Sequence, residues 1–315
     1  MTTSPTERVA PAPFRLATDG PALAPLDGAS VLVTVVINLE HWTLDRPMPR
    51  AALPAPGGLS VVPDVANHSW VLYGLRAGLP RLAAALAPLG RHVTVALNAD
   101  VIDHYPAVAA LIEERGWEVV AHGVRQQSIQ SYPVGAEPAV IAETVRRITE
   151  RFGAPRGWLS PGMNQTDDSL ELMRAVGLEF NHDWMIDDRP VWLTTAAGPI
   201  LGLPYTLTLN DVTTYQVAQA ADGTLADRVE RTLSRHVAEA VAPGGQPAVM
   251  PIGLHPHIVG VPHRIAEIER IVAAVQATEE AAFVTASAVH DWYAAQVPAP
   301  VAALDQASRA SQVGR

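Results

Sequence analysis

The sequence of 315 residues has 48% hydrophobic and 17% charged residues, which is typical of globular proteins, and no apolar run approaches the roughly 20 residues of a membrane span. Its 22 basic and 32 acidic residues give a net charge of -10, which opposes the phosphate contacts of nucleic-acid binders. The absence of cysteine excludes disulfides and thiolate chemistry, and leaves His, Asp and Glu as strong ligands or acid–base groups. Because residues 1–15 carry no secretory signal pattern, a cytoplasmic location is expected.

Strands and helices are predicted to alternate after residues 1–29, a segment rich in Pro, Ala and Thr that is expected to form an N-terminal arm. Apolar runs of strand length predict strands at 30–39, 92–98, 118–121, 157–160, 179–183, 248–254 and 282–285, and residues 191–206 hold two shorter strand-like pieces. Apolar residues at helical spacing predict helices at 70–89, 105–115, 138–152, 167–176, 225–241 and 265–275, and a last helix that contains Trp292.

This alternation favours one (β/α) barrel with about seven parallel strands over an open sheet. The predicted organisation is an arm at 1–29, a single catalytic domain at 30–296 and a flexible C-terminal tail at 297–315. No strand is followed by a glycine-rich dinucleotide fingerprint or a phosphate loop.

Polar residues recur where the predicted strands end. They are Asn38, Glu40, Asn98, His122, Ser160, His182, Asp183, His255 and His257. In a closed parallel barrel these strand ends surround one mouth, so a carboxylate and several imidazoles are expected to converge there. Such a set suits either general acid–base hydrolysis or a metal centre of His and carboxylate ligands.

Each of these residues also has a structural interpretation, because a histidine after a buried strand can simply cap it and Glu40 can pair with a nearby arginine. However, an acid that follows a ten-residue apolar strand is expected to be desolvated, and desolvation raises the pKa of a carboxyl group toward the range of a general base. We therefore expect Glu40, His122 and His255 to be catalytic.

Seven segments carry a family resemblance. They are INLEHW at 37–42, YGLRAG at 73–78, GWEVVAHGVR at 116–125, RGWLSPG at 156–162, HDWMIDDRPVW at 182–192, LPYTLTLND at 203–211 and IGLHPHIVGVPHR at 252–264. Together they resemble the polysaccharide deacetylase superfamily, and within it the branch of metal-independent allantoinases and cyclic imide hydrolases. The resemblance implies a distorted (β/α) barrel with fewer than eight full units, cleavage of a C–N bond in an amide or imide, and assembly as a homo-oligomer.

The sequence departs from the metal-dependent sugar deacetylases of that superfamily at three positions. Those enzymes bind a divalent metal through one Asp and a His-x-x-x-His pair, with a second Asp as base. Here Asn38 stands in place of the base, Glu40 in place of the ligand Asp, and Gln126 in place of the second His. One imidazole and one carboxylate are fewer ligands than catalytic zinc usually has, so no cofactor is expected. Zinc held by Glu40 and His122, and perhaps by His257, is the alternative.

The predicted reaction is attack of water on a carbonyl of a small cyclic amide or imide. Glu40 is predicted to be the general base or, as an alternative, the nucleophile, with His122 and His255 as acid–base partners. Backbone amides of Gly162 or Met163 are predicted to stabilise the oxyanion, since Pro161 has no N–H. The predicted substrate-binding residues are Asn38, Arg125, Ser160, Gly162, Asp183, Trp184, Trp192 and His257, with Arg125 as a partner for a substrate carboxylate or carbonyl.

Two further functions remain open at this point. One is a metal-dependent N-deacetylase of a small acylated amine or amino sugar. The other is a barrel that has lost catalysis and only binds a small ligand. The expected partners are a small-molecule substrate and further copies of the chain, with no nucleic acid and no membrane.

Overall fold

Strand β1 (Val31–Leu39) forms the centre of the fold, because its sequence VLVTVVINL is buried along its whole length. A parallel strand that is covered on both faces needs such a continuous apolar run. The computed structural model describes residues 10–300. Directly after β1 the chain leaves the sheet, so the residues from Glu40 onward lie at its carboxyl edge.

The other strands are β2 (Thr94–Leu97), β3 (Glu118–Ala121), β4 (Gly157–Trp158), β5 (Phe180–Asn181), β6 (Val191–Leu193), β7 (Ile200–Gly202), β8 (Ala248–Leu254) and β9 (Ala281–Phe283). They lie in the order β6-β7-β5-β4-β3-β2-β1-β8, with β9 beside the start of β1. All pairings are parallel except that of β6 with β7. The predicted distorted barrel is confirmed as a curled half-barrel of mostly parallel strands. The described residues form nine strands, because the two strand-like pieces at 191–206 are β6 and β7.

The two ends of the sheet curl toward each other. Val249 on β8 donates its N–H to the carbonyl of Asp188, just before β6, at 2.8 Å. Asn210 forms an isolated parallel bridge with Gly253, also on β8. These contacts bring the loop that follows β7 to the carboxyl end of β8, where the active-site candidates of the C-terminal half lie.

The helices are α1 (Val65–Tyr73), α2 (Leu79–Ala85), α3 (Asp100–His104), α4 (Pro106–Arg115), α5 (Glu137–Phe152), α6 (Ser169–Ala175), α7 (Thr224–Ala240), α8 (Pro256–Val259), α9 (Ile265–Gln276) and α10 (Ala286–Gln296). The predicted helices are confirmed within a few residues, apart from the first. The short helices α3 and α8 were not predicted, since one turn carries no periodic signal.

The helix predicted at 70–89 differs most from the structure. It begins earlier, at Val65, where the side chain of Asp64 accepts the N–H of Asn67 at 3.1 Å. It is also interrupted by a π-helical segment, Gly74–Gly78, between α1 and α2. Glycine is required here, since a β-carbon on Gly78 would lie 2.2 Å from the carbonyl oxygen of Pro256. The segment therefore packs directly against α8, which carries His257.

The described part of the arm contacts the barrel. Thr194 donates its N–H to the carbonyl of Pro11 at 2.7 Å, and Leu23 donates its N–H to the side chain of Gln246 at 2.8 Å. Residues 1–9 and most of the predicted tail, 301–315, lie outside the described residues. Within 10–300, no helix has the length and apolar character needed to cross a membrane.

Candidate active site

The strand ends enclose a cavity of about 280 Å³ at the carboxyl edge of the sheet. Seven of the predicted site residues line it: Asn38, Glu40, His122, Ser160, Gly162, His255 and His257. They come from four different strand ends or the turns that follow them, as expected for a barrel mouth. The three predicted catalytic side chains are brought together at its base.

Glu40 lies buried between two imidazoles. Its Oε2 accepts a hydrogen bond from Nε1 of Trp42 at 2.6 Å. Its Oε1 lies 3.8 Å from Nε2 of His122 and 3.6 Å from Nε2 of His255. These two separations are longer than direct hydrogen bonds, and they bring three polar atoms to one point of the cavity.

The pKa of Glu40 differs from the sequence-based expectation. Burial by itself raises the pKa of the carboxyl, as predicted, but the two imidazoles that face Oε1 outweigh burial. Together they hold the pKa of Glu40 well below its usual range. The prediction of a raised pKa was therefore wrong, because it counted desolvation without the two neighbouring imidazoles.

His122 follows β3 and is held in one tautomer. Its Nδ1 lies 2.6 Å from the carbonyl oxygen of Leu159, and a carbonyl only accepts, so Nδ1 carries the hydrogen. In the neutral ring Nε2 then carries a lone pair. Among residues 10–300 this buried atom has no hydrogen-bond partner, and it faces Glu40.

Asn98, directly after β2, is hydrogen-bonded to the residues that follow the two neighbouring strands, β1 and β3. Its amide nitrogen donates to the carbonyl of His122, and its Oδ1 accepts the N–H of His41 at 2.9 Å. The polar residue that the sequence places after the second strand is thus a positioning residue. It sets the spacing between Glu40 on one side and His122 on the other.

His255 follows β8 and forms two hydrogen bonds with Asp211. Its backbone N–H donates to Oδ2 of Asp211, and its Nδ1–H donates to Oδ1, both at 2.6 Å. Burial lowers the pKa of His255, but the carboxylates of Asp211 and Glu40 outweigh burial and raise the pKa to about 9. His255 is therefore an imidazolium at neutral pH, with its Nε2–H directed toward Glu40.

Sequence reasoning missed the role of Asp211. The region before it has the least regular periodicity of the chain, and Asp211 follows an isolated bridge rather than a strand. The one available signal was the acid itself, which ends the motif LPYTLTLND at 203–211. Only the curl of the sheet brings it to His255.

His257 forms an aromatic wall of the cavity. Its ring lies 4.5 Å from that of Trp70 and 5.9 Å from that of Trp42, with both tryptophans edge-on. Burial and the charge of His255 lower the pKa of His257 to about 3, so it is neutral. Neither tryptophan was among the predicted substrate-binding residues.

The turn after β4 contributes a backbone amide. Met163 donates its N–H to the carbonyl of Ser160 at 2.8 Å, so of the two predicted oxyanion donors it is the one already engaged, and Gly162, with a φ of 65°, is the other. Asp183 stabilises the start of the turn, because its Oδ1 accepts the N–H of Ser160 at 2.8 Å.

Four predicted substrate-binding residues lie outside the walls of this cavity: Arg125, Asp183, Trp184 and Trp192. The polar groups of all four are engaged elsewhere. Arg125 pairs with Asp100 at 3.0 Å in an adjoining cavity. Nε1 of Trp184 donates to Gln165, and Nε1 of Trp192 donates to the carbonyl of Val297, both at 2.9 Å. Their placement does not support contact with a substrate in the cavity.

The donor set fits a divalent metal poorly. Oε2 of Glu40 is bonded to Trp42, His255 is protonated and bound to Asp211, and the position four residues after His122 is the amide of Gln126. Within the described chain, no group of three His, Asp or Glu side chains has the spacing of a metal site. Glu40 and His122 remain as two strong ligands, fewer than the three of a typical catalytic zinc.

Comparisons with known proteins agree with this fold. Residues 64–181 match the family model of Polysaccharide deacetylase. A Schizosaccharomyces pombe protein described as a candidate polysaccharide deacetylase is 26% identical over 226 residues, which cover 66% of this chain and 69% of the relative. The resemblance to the polysaccharide deacetylases is confirmed. The chain is a polysaccharide deacetylase-like hydrolase, the class of enzyme that the sequence predicts.

Solved structures give the same fold. The crystal structure of Puue allantoinase has a TM-score of 0.79 and 23% identity, covering 89% of this chain and 95% of the other. A candidate polysaccharide deacetylase from Pseudomonas aeruginosa PAO1 has a TM-score of 0.77 and 25% identity, covering 86% and 93%. The fold therefore extends well beyond the segment that matches the family model.

Proposed function

We propose that the protein hydrolyses a C–N bond of a small cyclic amide or imide at Glu40, His122 and His255. The observation that carries the proposal is that Oε1 of Glu40 lies 3.8 and 3.6 Å from Nε2 of His122 and His255, in the cavity that all three residues line. One imidazole is held with a lone pair toward the cavity and the other with a proton. A base and an acid side by side are what amide hydrolysis requires.

We assign the base to His122 rather than to Glu40. A carboxylate whose pKa is held far below neutrality accepts a proton poorly, whereas Nδ1 of His122 donates to Leu159 and leaves Nε2 as the ring atom that can accept a proton. Water then adds its oxygen to the carbonyl carbon and gives a proton to Nε2 of His122, while the C=O π pair moves onto the carbonyl oxygen. Glu40 orients the water and stabilises the imidazolium that forms.

His255 supplies the acid. When the electron pair on the oxyanion returns to form C=O, the C–N bond breaks and its electron pair stays on nitrogen. The nitrogen takes the proton from Nε2 of His255, which starts the reaction protonated because Asp211 and Glu40 face it. For a ring substrate, the product carries a carboxyl group at one end and the released nitrogen at the other.

The size and chemistry of the cavity support a small, activated ring. Its volume of about 280 Å³ is at the lower end of ligand pockets, which span roughly 300–1,000 Å³. Trp42, Trp70 and His257 line it with aromatic rings, which are suited to contact a small ring. Without the ligands for a metal that activates water near neutral pH, the carbonyl must itself be more electrophilic than that of an acetamide. The similarity in fold to an allantoinase agrees with a cyclic substrate.

A screen of purified protein tests the proposal. Hydantoin, succinimide, allantoin and N-acetylglucosamine would be incubated with the enzyme, with and without a chelator, and product would be measured by chromatography. We expect ring opening of at least one cyclic compound and no effect of the chelator. Release of acetate only in the presence of zinc would instead indicate the metal-dependent N-deacetylase, which the match to the Polysaccharide deacetylase family favours as a second candidate. Binding without product would contradict both.

A further inference from the structure

Tyr205 presents a hydroxyl group to the active-site cavity. It lies shortly after β7, its side chain is buried, and it lines the same cavity as Glu40 and His255. The phenolic oxygen is 3.0 Å from Nδ2 of Asn38 and 3.1 Å from Nδ2 of Asn210. Two amide groups therefore meet at this one oxygen.

The direction of both hydrogen bonds is fixed by the other contacts of the amides. Oδ1 of Asn210 accepts the N–H of Val212 at 2.9 Å, so the opposite atom of that amide is the NH₂ group. Nδ2 of Asn38 also lies 3.3 Å from the carbonyl oxygen of Leu254, which only accepts. Both asparagines therefore donate to Tyr205, and its oxygen is the acceptor in each bond.

The hydrogen of the Tyr205 hydroxyl is left without an acceptor. Two donated hydrogen bonds use both lone pairs of the oxygen, and among residues 10–300 no hydrogen bond from Tyr205 to an acceptor is present. A buried donor without a partner is costly unless a ligand or water supplies the acceptor. The cavity is the place from which that acceptor can come.

The packing under Tyr205 holds the hydroxyl in place. A β-carbon on Gly253 would lie 2.8 Å from the phenolic oxygen and 2.5 Å from Nδ2 of Asn210. Glycine at this position of β8 lets the hydroxyl and the amide sit against the strand backbone. The donor is thus preorganised by Asn38, Asn210 and Gly253 before any substrate arrives.

We propose that Tyr205 is a further catalytic residue, which donates its hydroxyl hydrogen to the carbonyl oxygen of the C–N bond that is cleaved. The proposal rests on the function proposed above. As water adds to the carbonyl carbon, the π pair moves onto this oxygen, and the bond from Tyr205 strengthens as negative charge develops, with no transfer of the phenolic proton. Burial raises the pKa of Tyr205 above its usual range, so the hydroxyl stays protonated.

The test uses the cyclic compound that the wild-type enzyme hydrolyses in the screen. Tyr205→Phe removes only the hydroxyl group, and we expect kcat to fall by about 10²–10³-fold with KM changed by less than about threefold, as for loss of one oxyanion donor. Tyr293→Phe, at a buried tyrosine of α10 outside the cavity, is the matched control and should keep its kcat. A Tyr205→Phe variant that keeps kcat within threefold of wild type would overturn the role of Tyr205 and leave the proposed function intact. A wild-type enzyme without activity on any of the ring compounds would overturn both.

A second variant separates catalysis from folding. Replacement of Tyr205 by 3,5-difluorotyrosine keeps the hydroxyl and its two asparagine bonds but makes the phenol more acidic. We expect kcat at pH 7, where His255 is still protonated, to rise by about twofold or more, because a more acidic phenol is a stronger hydrogen-bond donor to the developing oxyanion. If Tyr205→Phe fails to fold, an unchanged kcat at pH 7 in the fluorinated enzyme would overturn the proposal.

Discussion

Asp211 holds His255 by two hydrogen bonds of 2.6 Å, one to its backbone N–H and one to its ring Nδ1. The same carboxylate therefore fixes the position of the residue and the charge of its ring. Because Nδ1 is directed at Asp211, Nε2 faces Glu40 and the cavity. This relationship is the reason for proposing His255, and not His122, as the acid of the pair.

Asp211→Asn is expected to lower kcat by at least about 10²-fold, since proton transfer by a positioned group contributes on this scale. The amide keeps the size of the side chain but removes the charge that raises the pKa of His255 to about 9. The alkaline limb of the kcat profile should therefore move to lower pH in the variant. A pH–rate profile of both enzymes measures this, and an unchanged alkaline limb would show that His255 is not the acid.

Asp211→Asn also allows a test by stability. His255 has a raised pKa in the folded protein, so its pairing stabilises the fold fully below its usual pKa near 6.5, and this contribution is lost as the pH rises through about 9. The difference in unfolding free energy between wild type and Asp211→Asn should be on the order of 2–3 kcal/mol at pH 6 and shrink toward pH 10. Urea denaturation at pH 6, 8 and 10 measures it. A difference that is constant with pH would contradict the pairing.

Variants at Glu40 and His122 test the assignment of the base. We expect His122→Asn to lower kcat by about 10²–10⁴-fold, because it removes the proton acceptor. Glu40→Gln should be less harmful, because the amide still accepts the bond from Trp42 and can orient water. Kinetics of both variants on the same ring substrate give the order of the two effects. If Glu40→Gln proved the more damaging, the base would be Glu40, as the sequence alone suggested.

The place where the proposed catalytic side chains gather could be predicted from the sequence, because buried strands leave a clear signal. Glu40, His122 and His255 each follow an apolar segment of the length of a strand. Because parallel strands end at a common edge of the sheet, these three side chains are expected to meet there. The barrel class followed from the same alternation of strands and helices. These predictions depend only on chain order and periodicity.

Contacts that depend on how the sheet curls could not be predicted in this way. Asp211 and Tyr205 lie in the least periodic part of the chain, and they reach the site only because the segment after β7 comes to β8. Trp192 is the opposite case, since it lies in one of the motifs that carry the resemblance but its ring nitrogen is bonded to Val297 outside the cavity. Sequence position near a motif does not give the direction of a side chain.

Gly78→Ala is expected to damage both stability and activity, although Gly78 does not line the cavity. The new methyl group would lie 2.2 Å from the carbonyl oxygen of Pro256, and the helix backbone on both sides must move apart. Overpacking of this kind typically costs about 1–3 kcal/mol. Because Pro256 lies between His255 and His257, displacement of α8 should also misplace both rings, and a shift of about 1 Å can cost on the order of 10²-fold in rate.

Urea denaturation measures the effect on stability and steady-state kinetics the effect on activity. Arg76→Ala, at an exposed residue of the same π-helical segment, is the control. Wild-type stability and kcat in Gly78→Ala would show that α8 is not held against this segment.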